Sequence, residues 1–278
     1  WKTPGVDAQY IAYGSLSLTN NRFSATGRLR DLGTPQDFFG SNFSGFSDEE
    51  ESARIVAHNY ADRILEQLGF GKGISRTQIA FASNRSGNKE IWVVDYDGTN
   101  PHRLTSTGTT AITPSWSPVD DRIAYTAWRD RGPQIEITSA SGGRQTFAQP
   151  ASAANYLPSW SPDGKSIVYS SGRDRDTEIY IADADGRNAK RLTNSRGIDV
   201  SPVFNPATGR RIAFVSSRSG RPQIYTMSFD GTDVQQVTDE DSDAQNPAYS
   251  PDGKMIAFAW QKPGTGFDIF LYDTVTQR

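Results

Sequence analysis

The chain of 278 residues carries 29 Lys and Arg against 32 Asp and Glu, a formal charge of −3 with a sequence pI near 5.5, and it has no Cys. That balance gives no electrostatic case for nucleic acid or for an anionic membrane surface, and disulfides and thiolate metal sites are excluded. Hydrophobic residues make only 35%, yet aromatics supply 11%, and 25 Gly and 15 Pro are spread along the chain; this mixture favours many short strands joined by tight turns around an aromatic-rich core.

The chain begins at Trp1, shows no basic segment followed by an apolar run, and has no stretch approaching the ~20 apolar residues of a membrane span. It reads as a processed or shortened chain that does not cross a membrane. Residues 1–73 share no repeat with the rest. Tyr10 to Leu18 and Arg22 to Leu32 alternate apolar and polar residues around Asn20-Asn21, which predicts a hairpin, and Asp37 to Phe46 is a third candidate strand. Ser47-Asp48-Glu49-Glu50 has the spacing of a capping box, in which the Ser hydroxyl accepts from the N3 amide and Glu50 reaches back. Val56, Tyr60, Ile64 and Leu68 then mark one face of a helix that Gly69 and Gly71 end. This is part of a small α/β domain.

From residue 74 onward the chain repeats. A first unit runs from Gln78-Ile79-Ala80-Phe81 to Arg103-Leu104-Thr105 with three strands. Four Pro-x-aromatic segments follow, opening at Pro114, Pro158, Pro202 and Pro247, at intervals of 44, 44 and 45 residues, with Trp116, Trp160, Phe204 and Tyr249 as their aromatics. After each comes an apolar strand (Ile123-Ala124-Tyr125, Ile167-Val168-Tyr169, Ile212-Ala213-Phe214, Ile256-Ala257-Phe258) and a second strand about ten residues later. Asp163-Gly164 and Asp252-Gly253 supply the positive φ of a tight turn. Four strands in 40–45 residues define a β-propeller blade, whose sheet must stack on its neighbours to bury both faces. Five units are visible over residues 74–278, and the fifth stops about where its last strand should begin.

Chemical motifs are sparse. His58 and His102 lie far apart without a motif, and no Gly-x-Ser-x-Gly elbow, phosphate loop or His-Glu-x-x-His pattern occurs. Asp95-Tyr96-Asp97-Gly98 and Asp183-Ala184-Asp185-Gly186 are fully explained as turns, and the Asp239–Asp243 acidic run as a solvated loop. Calcium is the weaker reading of all three, because the remaining oxygen ligands are not visible. No other cofactor is indicated. Arg85, Arg173 and Arg218 recur on one hairpin and read as solvated turn residues. The loops that lead into each Pro-x-aromatic strand share one position in the blade but differ freely, as a binding surface requires: Ala111-Ile112-Thr113, Asn155-Tyr156-Leu157, Asp199-Val200-Ser201 and Ala244-Gln245-Asn246.

The whole chain resembles the TolB family, the periplasmic propeller proteins of the Tol-Pal envelope system. The likeness rests on the Pro-x-Trp-Ser-Pro-Asp-Gly blades and, more specifically, on Trp1-x-x-x-Gly5-Val6-Asp7-Ala8, Gly14, Ala57-His58, Ala61-Asp62 and Thr77-Gln78-Ile79-Ala80-Phe81. The resemblance implies an α/β domain joined to a six-bladed ring, no enzymatic activity, docking of the peptidoglycan-associated lipoprotein Pal on one propeller face, and engagement of TolA by an N-terminal tail outside this sequence. Carried over by position, it assigns the docking surface to Ala154, Asn155, Leu157, Val200 and Ser201; the loop comparison adds Thr113, Tyr156 and Asn246. The alternative is a propeller that binds or cleaves a carbohydrate or peptide at its channel mouth, with Trp116, Trp160 or Tyr156 stacking on the ligand.

Overall fold

The computed structural model of the chain describes residues 8–20, 22–34, 36–47, 50–238, 242–262, 264 and 266–278. The Trp1–Asp7 part of the family pattern, Asn21 of the first turn, Asp48 and Glu49 of the expected capping box, and residues 239–241 of the acidic run lie outside them. The chain forms two compact units, Trp1–Ile79 with Val94–Pro101, and Ala80–Val93 with His102–Arg278.

In the first unit, β1 (Tyr10–Thr19), β2 (Arg22–Asp31) and β3 (Asp37–Ser47) form an antiparallel sheet in that order, followed by α1 (Glu50–Gln67). The alternation in β2 buries Phe23, Ala25 and Leu29, and Phe23, Ala25 and Phe43 pack against Val56 and Tyr60 of the helix. Gly27 is required there: a Cβ would sit 2.4 Å from the Tyr60 ring, whose hydroxyl donates to the Arg28 carbonyl. Glu50 and Glu51 give the helix an acidic first turn, and Gly69, with φ of 78°, follows its end. Arg54 binds Asp95 at 2.8 Å and Asp97 at 3.1 Å, with His58 Nε2 3.3 Å from Asp97. Asp37 collects Tyr13, Arg28 and Arg30 at the start of β3.

From Gln78 onward the chain forms a run of antiparallel sheets. The first comprises β4 (Gln78–Ser83), β5 (Glu90–Asp95) and β6 (His102–Arg103); the second β7 (Ala111–Trp116), β8 (Arg122–Arg129), β9 (Gly132–Ser139) and β10 (Arg144–Gln145). The third holds β11 (Asn155–Trp160), β12 (Ser166–Asp174), β13 (Asp176–Asp183) and β14 (Lys190–Arg191), and the fourth β15 (Asp199–Phe204), β16 (Arg211–Ser216), β17 (Gln223–Ser228) and β18 (Gln235–Gln236). The fifth has three strands, β19 (Ala244–Tyr249), β20 (Met255–Lys262) and β21 (Gly266–Asp273). These are the blades of a β-propeller, and the second strand of each central blade is buried along almost its whole length because a neighbour covers both faces.

The blade-opening aromatics fill the space between sheets, as their spacing predicts. Trp160 packs with Ala124, Ile135, Ile137 and Phe147 of the preceding blade and donates its Nε1 hydrogen to the Ser115 carbonyl at 3.1 Å. Phe204 packs in the same way against Val168 and Ile179, without a hydrogen bond. The corresponding Trp116 Nε1 is buried without a partner among the described residues; the sheet before it has only β4, β5 and β6, and so offers no inner-strand carbonyl.

Two outcomes follow. Hydrogen bonds from Tyr13, then Arg28 and Arg30, hold the Asp37 carboxyl down at about 2. A depressed carboxyl contributes stability above its ordinary value of 3.8 and loses it as pH falls towards 2; amide exchange in β2 and β3 should accelerate over that window, and Asp37→Asn should abolish the pH dependence. Truncating Trp160 to Ala should cost about 3–5 kcal/mol in denaturant unfolding, through the cavity left between two blades.

Candidate functional site

Each blade-opening loop is clamped by a Glu or Gln near the start of β5, β9, β13 or β17. Glu90 is buried, takes the Thr105 hydroxyl at 2.5 Å and accepts the backbone N–H groups of Thr107 and Gly108. Glu178 repeats this with Thr193 at 2.6 Å and the Ser195 N–H at 3.1 Å, and adds the Arg191 guanidinium at 2.5 Å. In the fourth blade Gln223 accepts from Thr238 and donates to the Ser242 carbonyl. In the second, Gln134 donates to the Ala153 carbonyl while Gln149 makes both bonds to the Ile135 backbone. Burial pushes the Glu178 carboxyl above its ordinary range, opposed by Thr193 and Arg191 and reinforced by the charge of Asp199.

The loops end in the same backbone device. Thr113, Leu157, Ser201 and Asn246, each immediately before a blade-opening proline, have φ of 53°, 57°, 55° and 54°. This left-handed conformation is costly for residues with a Cβ, above all for a β-branched Thr. At each one the pairing register of the inner strand shifts, so the residue is extruded as a bulge. Hydroxyls on the preceding blade hold two of them: Leu157 N–H donates to Thr126 Oγ1 at 3.0 Å and Ser201 N–H to Ser170 Oγ at 3.2 Å, while Thr113 Oγ1 lies 2.8 Å from Thr126 Oγ1. Val215 takes the matching position before Asn246 and offers no hydroxyl.

These four residues and the prolines that follow them line one cleft of about 190 Å³. The other four candidates do not line it. Asn155 is wholly buried, with Nδ2 on the Ala153 carbonyl and Oδ1 without a partner among the described residues. Ala154 is half-buried and accepts the Gly172 N–H; Tyr156 is half-buried and bonds Thr177 Oγ1 at 3.2 Å. Val200 packs on the cluster of Val215 and Ala244.

Arg85, Arg173 and Arg218 are not merely solvated turn residues. Their guanidinium carbons lie 4.9 Å from the Trp92 ring, 4.2 Å from Tyr180 and 5.0 Å from Tyr225, and Arg218 also pairs with the buried Asp199 at 2.9 Å. Trp160 cannot stack on a channel ligand, since it is 5% exposed and wedged between blades. His102 opens β6, opposite Val93. Asp97, Asp185 and Asp230 accept the N–H two residues ahead, at 3.0 Å in every case, which is their turn role. Among the described residues no group of three His, Asp or Glu side chains is placed to hold a metal ion.

The fold is that of a β-propeller whose blade-opening loops meet around one cleft. The family profile of the TolB β-propeller domain matches residues 65–278, and the chain belongs to that family. It is 33% identical over 207 residues to a TolB homologue of Chlorobium chlorochromatii, covering 74% of this chain and 46% of that protein. It is 38% identical over 214 residues to the Tol-Pal system protein TolB of Bordetella pertussis, covering 76% and 48%. The chain thus spans about half the length of the curated relatives it matches. The crystal structure of TolB from Acinetobacter baumannii superposes with a TM-score of 0.83 at 27% identity, covering 96% of this chain and 67% of that one. An oligogalacturonate lyase bound to manganese shares the fold alone, at 14% identity and a TM-score of 0.58.

The clamp has an internal control, because Gln223 performs the role of Glu178 without charge. Glu178→Ala should cost about 3 kcal/mol, by leaving the Thr193 hydroxyl and the Ser195 N–H without their acceptor and removing one of those of Arg191. Glu178→Gln should cost less than half of that. Hydrogen exchange at residues 194–199 alongside denaturant unfolding measures both.

Proposed function

We propose that the chain is a non-catalytic binding scaffold of the Tol-Pal system, working in the periplasm, and that it docks a Pal-type peptidoglycan-associated lipoprotein. The face is that of the loops before Pro114, Pro158, Pro202 and Pro247. One observation carries this reading: four successive blades hold the residue before their proline in the same left-handed geometry, around one cleft. Strain repeated at four equivalent positions, and fixed at Leu157 and Ser201 by cross-blade hydroxyls, is preorganisation, which lowers the ordering cost of association. The four side chains differ, as recognition of one asymmetric partner requires: a hydroxyl at Thr113, an isobutyl at Leu157, a small hydroxyl at Ser201, an amide at Asn246. Membership of the family, and relatives named as Tol-Pal system proteins, support a partner from that system. No helix among the described residues is long and apolar enough to cross a membrane, which suits a scaffold that acts beside one.

Leu157 is the apolar member of the set. Leu157→Asp should weaken binding of a Pal-type lipoprotein domain by about a hundredfold in calorimetry, since a charge would have to be desolvated against the partner. Phe229→Asp, on an exposed turn outside these loops, should leave the affinity unchanged. Equal binding by wild type and Leu157→Asp would remove this face from the interaction.

A further inference from the structure

A second cleft, of about 330 Å³, lies between the fourth and fifth blades at the far ends of β15 and β19, where those strands meet their turns. Its origin can be read by comparing blades. Between the second and third blades, Trp160 fills the gap and the Arg122 guanidinium lies 4.6 Å over its ring. One repeat pair later the same two positions are Arg211 and Tyr249. The smaller Tyr249 leaves room, and Arg211 bonds Thr226 Oγ1 at 2.7 Å and pairs with Asp233.

The equivalent cleft between the third and fourth blades has about the same volume but a different lining. Three matching positions change character together: Ser166 becomes Arg211, Ile181 becomes Thr226, and Phe204 becomes Tyr249. A spacer between blades needs only volume, so concerted replacement of two apolar groups and a small hydroxyl by groups that hydrogen-bond in planes is unnecessary for packing. Several of these groups are already fixed. Gln236 accepts from the Tyr225 hydroxyl at 2.9 Å, and Gln235 donates to Asp233. The hydroxyls of Tyr249 and Tyr272, by contrast, have no hydrogen-bond partner among the described residues. Burial holds the Tyr249 phenol up at about 12, so it keeps its proton as a donor.

We propose that this cleft binds a neutral saccharide. The Arg211 charge is answered by Asp233, so the site does not call for an anion. It offers phenol rings for the C–H faces of a sugar, and amide, hydroxyl and guanidinium groups for its alcohols. Its volume is at the lower end for small-molecule sites, about 300 Å³, which suits one or two rings. The site lies at the opposite ends of the inner strands from the left-handed residues, and it stands independently of protein docking there.

The test is a titration of the chain with glucose, N-acetylglucosamine and maltose, with inorganic phosphate as the anionic comparison, read by saturation-transfer difference NMR and calorimetry. At least one sugar should bind with a millimolar or tighter dissociation constant. Tyr249→Trp, which restores the filling seen at Trp160, should abolish that binding while leaving the melting temperature at or above the wild-type value. Tyr249→Phe, which removes only the hydroxyl, should weaken it about tenfold. Absence of binding by all three sugars, binding of phosphate alone, or sugar binding that survives Tyr249→Trp would each overturn the proposal.

Discussion

The structure of the second unit depends on keeping neighbouring blades at one spacing. Each central sheet is covered on both faces, and an aromatic between two prolines sets the distance to the blade before it. Trp160 shows the geometry most fully, with its ring in a buried cluster drawn from two sheets and its N–H on the inner strand of the neighbour. Interiors packed at this density transmit displacement instead of absorbing it. A change in the spacer therefore changes everything anchored to the inner strands, including the loops that open each blade.

From that spacing the geometry of the blade-opening loops follows. Leu157 and Ser201 are strapped to the preceding blade because Thr126 and Ser170 stand one hydrogen bond away from the next inner strand. Buried Glu90, Glu178 and Gln223 then fix the loops that lead to the left-handed residues. Buried carboxyls and strained backbone are expensive, and here both occur in the same short segments. The cleft beside Tyr249 obeys the same logic in reverse, because a smaller spacer between blades that cannot close in leaves a cavity.

Much of this was legible in the sequence. The period of 44, the aspartate–glycine turns and the alternating strands place the blades and their loops, and the N-terminal hairpin and helix fall where the apolar periodicity puts them. The left-handed backbone was not, since Thr113, Leu157, Ser201 and Asn246 have nothing in common as side chains and proline to their right disfavours only the right-handed helical region. The clamp did leave a trace, because Glu90 and Thr105, Glu178 and Thr193, and Gln223 and Thr238 share a spacing of 15 residues. The arginines misled because a charged residue beside a turn normally belongs to solvent; each lies over a ring four residues earlier, which a local reading could have found, and over a second ring from the strand across the sheet, which it could not. Asn155 misled in another way, since its place in a variable loop hides its full burial.

The claim that this propeller recognises a protein through its blade-opening loops is tested most directly by hydrogen-exchange footprinting with a Pal-type lipoprotein domain. Protection should concentrate at residues 106–113, 149–157, 194–201 and 242–246, with the turns at 163–165, 207–210 and 252–254 unaffected. Protection confined to those turns, or none at the loops under conditions where the complex forms, would contradict it.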